Sequence, residues 1–256
     1  MSLNYGTFNV LGLSISACDT AHILKKIEEH IRIKKPLIVA PIASHPIIEA
    51  FFNKKYKEIL NSFDYVLPDS FYVVLALRFL YKLRLKSRIY GPSLFQETCR
   101  FSLLHKYKLL LFGNDTNAVK KVLLSTYHGL NIDTYDVTGI NISREEVGKF
   151  EKYILKSKPT LIVIGVGSPK QHYIIDSLRS IPYPILAVGA AFSFVSGSIS
   201  QSPPWLGNHG FEWLYRLLRE PKRLWKRYLL YGPLFILLLL RQKITLNKNS
   251  PFSQRH

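Results

Sequence analysis

Thr160-Leu161-Ile162-Val163-Ile164-Gly165-Val166-Gly167-Ser168-Pro169-Lys170-Gln171 is the stretch that decides the fold. Its first five residues favour extended backbone and carry no charge, as in a strand buried on both faces. A Gly-x-Gly turn follows, which lets backbone amides approach an anion, and Pro169 suits the first turn of a helix whose N-terminus favours phosphate. Gly165, Gly167 and Lys170 are therefore candidate binding residues. The dinucleotide fingerprint is incomplete, because Lys170 stands where its third glycine belongs. A tight strand-to-helix turn explains both glycines equally well.

The same grammar repeats on either side. Leu37 to Ala40, Asp64 to Leu67, Lys108 to Phe112, Ile132 to Val137 and Ile185 to Val188 read as further strands. Between them, Asp19 to Ile33, Pro46 to Leu60, Ser70 to Tyr81, Asp115 to Tyr127, Ser143 to Lys156 and Pro169 to Leu178 carry helical spacing, several behind an Asp or Ser cap. This alternation predicts an α/β fold, a Rossmann-like and largely parallel sheet with helices on both faces. Ligands in such folds sit beyond the carboxyl ends of the strands. After about Trp205 strands stop and the chain turns basic, aromatic and helical. Residues 1–204 are thus expected to form the α/β domain and residues 205–256 a C-terminal helical appendage.

Composition narrows the partners. The 256 residues hold 35 Lys and Arg against 17 Asp and Glu, a formal charge of +18. Such an excess points to nucleic acid, anionic lipid or phosphorylated substrates. Cys18 and Cys99 lie far apart in no ligand-like spacing, which argues for neither a disulfide framework nor a zinc site and makes a reducing cytosol the default. The start, MSLNYGTFNVLGLSIS, lacks the basic and apolar regions of a secretory signal. The apolar run Leu229 to Leu240 is broken by Gly232-Pro233 and falls short of the ~20 residues of a spanning helix. It is expected to lie on a membrane rather than cross one.

Three other segments carry chemistry. In Val66-Leu67-Pro68-Asp69-Ser70 an acid follows a strand at the mouth of a helix. A carboxylate there can act as a general base, and it can equally cap the helix that begins at Ser70. Val188 to Gly197 is rich in small residues that allow close approach to a substrate, or close packing of a helix on the sheet. From Glu212 to Tyr228, Pro221 should end one helix and open the next, with Arg223 and Arg227 on one face. The interleaved Trp213, Trp225 and Tyr228 favour an interface or membrane-surface helix over a plain solvated basic face.

In combination, Pro68-Asp69, Arg88 to Gly91, Gly165-x-Gly167-x-Pro169-Lys170-Gln171, Gly189-Ala190-Ala191-Phe192, Glu212 to Leu217, Glu220-Pro221 and Arg227-Tyr228 resemble the WecG/TagA/CpsF glycosyltransferases. The resemblance runs from the Gly12 region to Tyr228. It implies an inverting, metal-independent hexosyltransferase that needs no cofactor. Its donor would be a UDP-sugar of the N-acetylmannosamine or glucose type, and its acceptor a polyprenyl-diphosphate-linked saccharide of a cell-surface polymer. Asp69 would be the catalytic base and Gln171 would line the site. Arg216, Arg223 and Arg227, with Lys170, would hold the leaving diphosphate, and Arg88 falls in a matching motif. Where the family carries a Thr-x-Asn pair, this chain has Val39 to His45, so Ser44 or His45 would take the polar role. Ser70, His172 and Gln201-Ser202-Pro203 are further departures. The resemblance implies a cytoplasmic enzyme, peripheral on the inner face of the membrane, with an anionic membrane surface as partner, room for homo-oligomers and no nucleic acid.

Two rival readings make distinct demands. A nucleotide-cofactor oxidoreductase needs an acidic ribose-binding residue about twenty positions beyond the glycines, and Val188-Gly189 occupies that neighbourhood. A basic nucleic-acid-binding protein predicts steeply salt-dependent DNA or RNA binding without affinity for sugar nucleotides.

Overall fold

The computed structural model describes residues 6–85, 87–137, 143–203, 205–206 and 209–248. The expected domain boundary at residue 204 and the end of the appendage from residue 249 lie outside them. A hairpin opens the chain, β1 (Gly6–Val10) and β2 (Leu13–Ala17), turned by Leu11 at φ +53° and Gly12 at φ +89°. Two consecutive left-handed residues match the right-handed twist of hairpin strands. Then come α1 (Thr20–Ile33), β3 (Leu37–Ile42), α2 (Ser44–Phe52), α3 (Lys54–Asn61), β4 (Tyr65–Pro68), α4 (Phe71–Tyr81) and α5 (Gly91–Leu104). β5 (Lys108–Gly113), α6 (Thr116–Thr126), β6 (Asn131–Asp136), α7 (Arg144–Ser157), β7 (Leu161–Gly165), α8 (Lys170–Ser177), β8 (Pro184–Ala187) and α9 (Ala191–Val195) follow.

β3 to β8 form one sheet in the order β4-β3-β8-β7-β5-β6, every pair parallel. All six expected strands are in it. Alternate side chains feed two cores, as period-two geometry requires. Ile38, Ala40, Leu110, Ile162, Ile164 and Ile185 join the layer with α2, α3, α4, α7 and α8. Leu37, Val39, Leu109, Leu111, Leu161, Val163 and Leu186 join the layer with α1, α5, α6 and α9.

Two expectations are corrected. The helix expected over Pro46 to Leu60 is two, because Asn53 takes extended backbone and its side chain accepts the Tyr56 N–H at 3.0 Å, capping α3. Gly232-Pro233 does not interrupt the C-terminal helix, and the apolar run is part of a longer one. After α10 (Glu212–Arg219), α11 (Pro221–Trp225) leads through a π turn (Lys226–Leu230) into α12 (Tyr231–Lys248), so 221–248 is one 28-residue helix. The wide π turn precedes Pro233 where its ring would meet the carbonyls of the turn before. By length and composition this helix could cross a bilayer. It is nevertheless docked: Phe235 and Leu239 are buried in the core, Gln242 Oε1 accepts the Leu11 N–H at 3.0 Å, and Lys243 Nζ donates to Leu80 O at 2.8 Å.

Candidate active site

The carboxyl ends of β4, β3, β8 and β7 lie side by side, and one cavity of roughly 450 Å³ opens above them. Each neighbouring strand contributes the residues that follow it: Asp69 after β4, Ser44 and His45 after β3, Gly189 after β8, and Gly167 with Gln171 after β7. The C-terminal segment closes the opposite wall with Glu212, Trp213, Arg216, Arg223, Arg227 and Tyr228.

Asp69 does not cap the helix that follows it. Ser70 does so, its Oγ accepting the Val73 N–H, while Asp69 Oδ1 accepts the Gly91 N–H at 2.7 Å, the first amide of α5. A Cβ on Gly91 would stand 3.1 Å from Val188 O. Glycine thus lets the start of α5 lie tightly against the end of β8. Burial raises the Asp69 pKa above the usual carboxylate range, against the lowering effects of the Gly91 hydrogen bond, Arg88 and Arg227, while Glu212 adds to the rise. A carboxylate made more basic than usual suits proton abstraction.

Glu212, at the start of α10, ties the two walls. Its Oε2 pairs with Arg88 at 2.8 Å, its Oε1 accepts from Tyr90 Oη at 3.0 Å, and the Arg88 guanidinium lies 4.1 Å from the Tyr90 ring centroid. Arg88 is thereby engaged in holding α10 against the loop before α5. Arg216 lies over the Phe194 ring at 5.7 Å, Arg223 pairs with Glu220, and Arg227 lies 5.6 Å from the Tyr228 centroid. Burial, with Arg216 and Arg223 nearby, lowers the Arg227 pKa to about 10, against the raising effects of Tyr228 and Asp69. Three guanidinium groups on one wall make an electropositive pocket suited to a diphosphate. Buried Trp213 Nε1, Arg216 Nε and His45 Nδ1 have no hydrogen-bond partner within the protein. Buried polar atoms of that kind are rare and call for a partner such as a ligand or water.

The two glycines of the deciding turn have different jobs. A Cβ on Gly165 would fall 2.6 Å from the Phe192 ring, so Gly165 makes room for α9 on the sheet. Gly167, at φ +80°, borders the cavity. Gln171 is buried, and its Oε1 accepts the Gly189 N–H at 3.1 Å, fixing the turn after β8. His45 is buried at the start of α2 and kept neutral, chiefly by burial and then by Arg227, His172 and Arg216. Ser44 borders the same cavity, whereas Lys170 and Gly165 are not among its lining residues. The motifs Arg88 to Gly91 and Glu212 to Leu217 contain Tyr90 and Glu212 but assign neither a role in the site, and the sequence places Trp213 on an interface or membrane-surface helix. Only the Arg88 to Gly91 motif and the tryptophan beside Glu212 hinted at a role there.

Two acids and several arginines gathered at the carboxyl edge of a parallel sheet are a donor set suited to a phosphorylated group. The chain belongs to the glycosyl transferase WecG/TagA/CpsF family, which it matches over residues 8–249, and it is a hexosyltransferase. It is similar to the N-acetylglucosaminyldiphosphoundecaprenol N-acetyl-beta-D-mannosaminyltransferase of Bacillus subtilis strain 168, 29% identical over 211 residues that cover 80% of each chain. A protein of the same name from Bacillus spizizenii is 31% identical over 190 residues, 71% of this chain and 70% of that one.

Proposed function

We propose that this enzyme transfers an N-acetylmannosamine-type sugar from a UDP-sugar to a polyprenyl-diphosphate-linked saccharide, with inversion, at a membrane surface. The observation that carries the reading is that Asp69 and the Arg216, Arg223 and Arg227 side chains line the same cavity. The names of the two relatives supply the sugar and the lipid-linked acceptor by analogy.

The step is a single displacement. Asp69 Oδ1 stays anchored on the Gly91 N–H and Oδ2 takes the proton of the acceptor hydroxyl. The acceptor oxygen bonds to the anomeric carbon as the bond to the diphosphate breaks, and that electron pair leaves on the phosphate oxygen. Arg216, Arg223 and Arg227 stabilise the developing charge, the contribution that is usually largest in such reactions. His45 and Ser44 line the cavity on the side of α2 and offer it polar groups. The exposed Leu229, Leu230, Ile236, Leu237, Leu240 and Ile244 of the C-terminal helix, interspersed with Arg241 and Lys243, suit a membrane surface where such an acceptor resides.

A transfer screen over UDP-sugars with a synthetic lipid-linked N-acetylglucosamine acceptor tests the reading. Product with inverted anomeric configuration from UDP-N-acetylmannosamine is expected. Transfer with retention, or none from any UDP-sugar, would overturn it.

A further inference from the structure

His172 follows Gln171 on α8, is fully buried, and lies behind the cavity wall rather than among the residues that line it. Its Nδ1 lies 2.6 Å from Tyr56 Oη on α3, and its Nε2 lies 3.3 Å from Gln171 Nε2. The imidazole stacks on the Tyr56 ring at 5.8 Å, and Phe63 meets it edge-on at 6.0 Å. Burial lowers its pKa to about 3, so it carries a single ring proton at any working pH.

The position of that proton follows from the neighbours. Gly189 N is a donor and can bond only to an acceptor, so Gln171 must present Oε1 to it, as it does at 3.1 Å. The Gln171 amide nitrogen then faces His172 Nε2, which must be the unprotonated nitrogen to accept. The ring proton sits on Nδ1 and is donated to Tyr56 Oη. With the opposite tautomer, Nε2–H would oppose the Gln171 NH₂, and a flip of the amide would oppose NH₂ to the Gly189 N–H. Only this arrangement gives a donor and an acceptor at both contacts of the Gln171 carboxamide.

We propose that His172 is a positioning residue: its imidazole, braced by Tyr56, locks the Gln171 carboxamide so that one amide N–H is directed to the substrate cavity beside Ser168. One hydrogen of the Gln171 NH₂ is engaged by Nε2 and the other points toward Ser168 Oγ, 3.5 Å away, on the cavity wall. The chain Gly189, Gln171, His172, Tyr56 thereby ties the turn after β8 to α3, across the floor of the site. The substrate end of this inference rests on the transferase reading above; the tautomer and its dependence on Gln171 do not.

Two measurements on the full-length protein test it. In ¹⁵N-histidine spectra, His172 should show protonated Nδ1 and bare Nε2 from pH 5 to 8, and Gln171→Ala should move the Nε2 resonance. An Nε2-protonated ring, or an Nε2 shift indifferent to Gln171→Ala, would overturn the positioning role whatever reaction the enzyme performs. In the transfer assay, His172→Phe keeps the packing and removes the acceptor, and should lower kcat about tenfold, of the order expected for one hydrogen bond. His172→Gln, whose Oε1 can stand in for Nε2, should recover most of it. In a Gln171→Ala background, His172→Phe should change kcat less than twofold, since coupled residues are not additive. Equal losses in both backgrounds would show that His172 does not act through Gln171. Absence of transfer by the unaltered enzyme would sink the transferase reading and leave the spectroscopic result standing.

Discussion

Asp69 Oδ1 accepts the first backbone N–H of α5, from Gly91, at 2.7 Å, so the acid that ends one strand is held by a helix that begins twenty-two residues later in the chain. The bond fixes one oxygen and orients the other. It also makes Asp69→Asn a clean test, because the amide oxygen can accept from Gly91 just as the carboxylate does. Turnover should fall about 10²- to 10⁴-fold, the range for general-base loss, with UDP binding unchanged.

The sign of the stability effect follows from the raised pKa. A carboxyl group with a higher pKa folded than unfolded binds protons more tightly in the native state, so its stabilising contribution is complete below the unfolded pKa. That contribution is lost as pH rises through the folded pKa. At neutral pH the ionised Asp69 therefore costs stability, and Asp69→Asn should melt at or above the wild-type temperature. The acid limb of the wild-type kcat profile should lie above the usual aspartate range for the same reason. A melting temperature several degrees lower for the variant would mean that the carboxylate is needed for the fold.

Arg227 shares its wall with Arg216 and Arg223, and its lowered pKa records their mutual repulsion as well as burial. A bound diphosphate relieves that repulsion. UDP at a hundred times its Kd should stabilise the protein by about 2.7 kcal/mol, read as a rise in Tm. Arg227→Ala should lose most of that rise and about 10²-fold in kcat, as expected for one electrostatic stabiliser of the leaving group. An undiminished UDP-induced shift in the variant would move the diphosphate elsewhere.

Asp69 and Glu212 are the acids of the cavity lining, and Glu212 is already bonded to Arg88 and Tyr90. Among the described residues no cluster of three His, Cys, Asp or Glu side chains is placed to share an ion. With charge neutralisation assigned to arginines, transfer should continue in EDTA at an undiminished rate. Loss on chelation with recovery on adding Mg²⁺ or Mn²⁺ would require an ion at the diphosphate.

The six strands were legible because a strand buried on both faces must be apolar throughout, and Leu109 to Phe112 or Leu161 to Ile164 have no other reading once the flanking turns are seen. Helix α5 was not, although Gly91-Pro92 is an N-terminal signal, because among the described residues between α4 and α5 no strand sets it off. The hairpin β1–β2 was equally hidden: its turn residues Leu11 and Gly12 do not form one of the strong hairpin pairs. Within the site, a motif could place Gly165 and Gly167 together but could not separate them. One lies beneath Phe192 and the other borders the cavity, a difference made by α9, which is remote in sequence. The pairing of Glu212 with Arg88 and of Tyr56 with His172 joins residues 124 and 116 apart, respectively, and no local pattern encodes either.

The C-terminal helix must satisfy two environments, and separate variants should reveal each. The sequence marks the residues after about Trp205 as an appendage to the α/β domain. The structure places Phe235 and Leu239 of α12 in the core and ties Gln242 and Lys243 to β1, the Leu11 turn and α4. Burial of each such side chain is worth about 1.5–3 kcal/mol. Truncation before Gly210 should therefore lower Tm markedly as well as remove Arg216, Arg223 and Arg227 and abolish transfer. The outward residues Leu237 and Ile244 are 63% and 57% exposed and contribute little to that packing. Leu237→Asp with Ile244→Asp should leave Tm and UDP binding within error of wild type. Binding to vesicles rich in anionic phospholipid should nevertheless fall sharply, because apolar insertion is lost and negative charge is placed beside Arg241 and Lys243. In the unaltered protein that binding should weaken from 0.05 to 0.5 M salt, values chosen so that the Debye length shrinks to roughly 4 Å and screens the basic residues. Vesicle binding that survives both the double variant and high salt would show that a different surface meets the lipid.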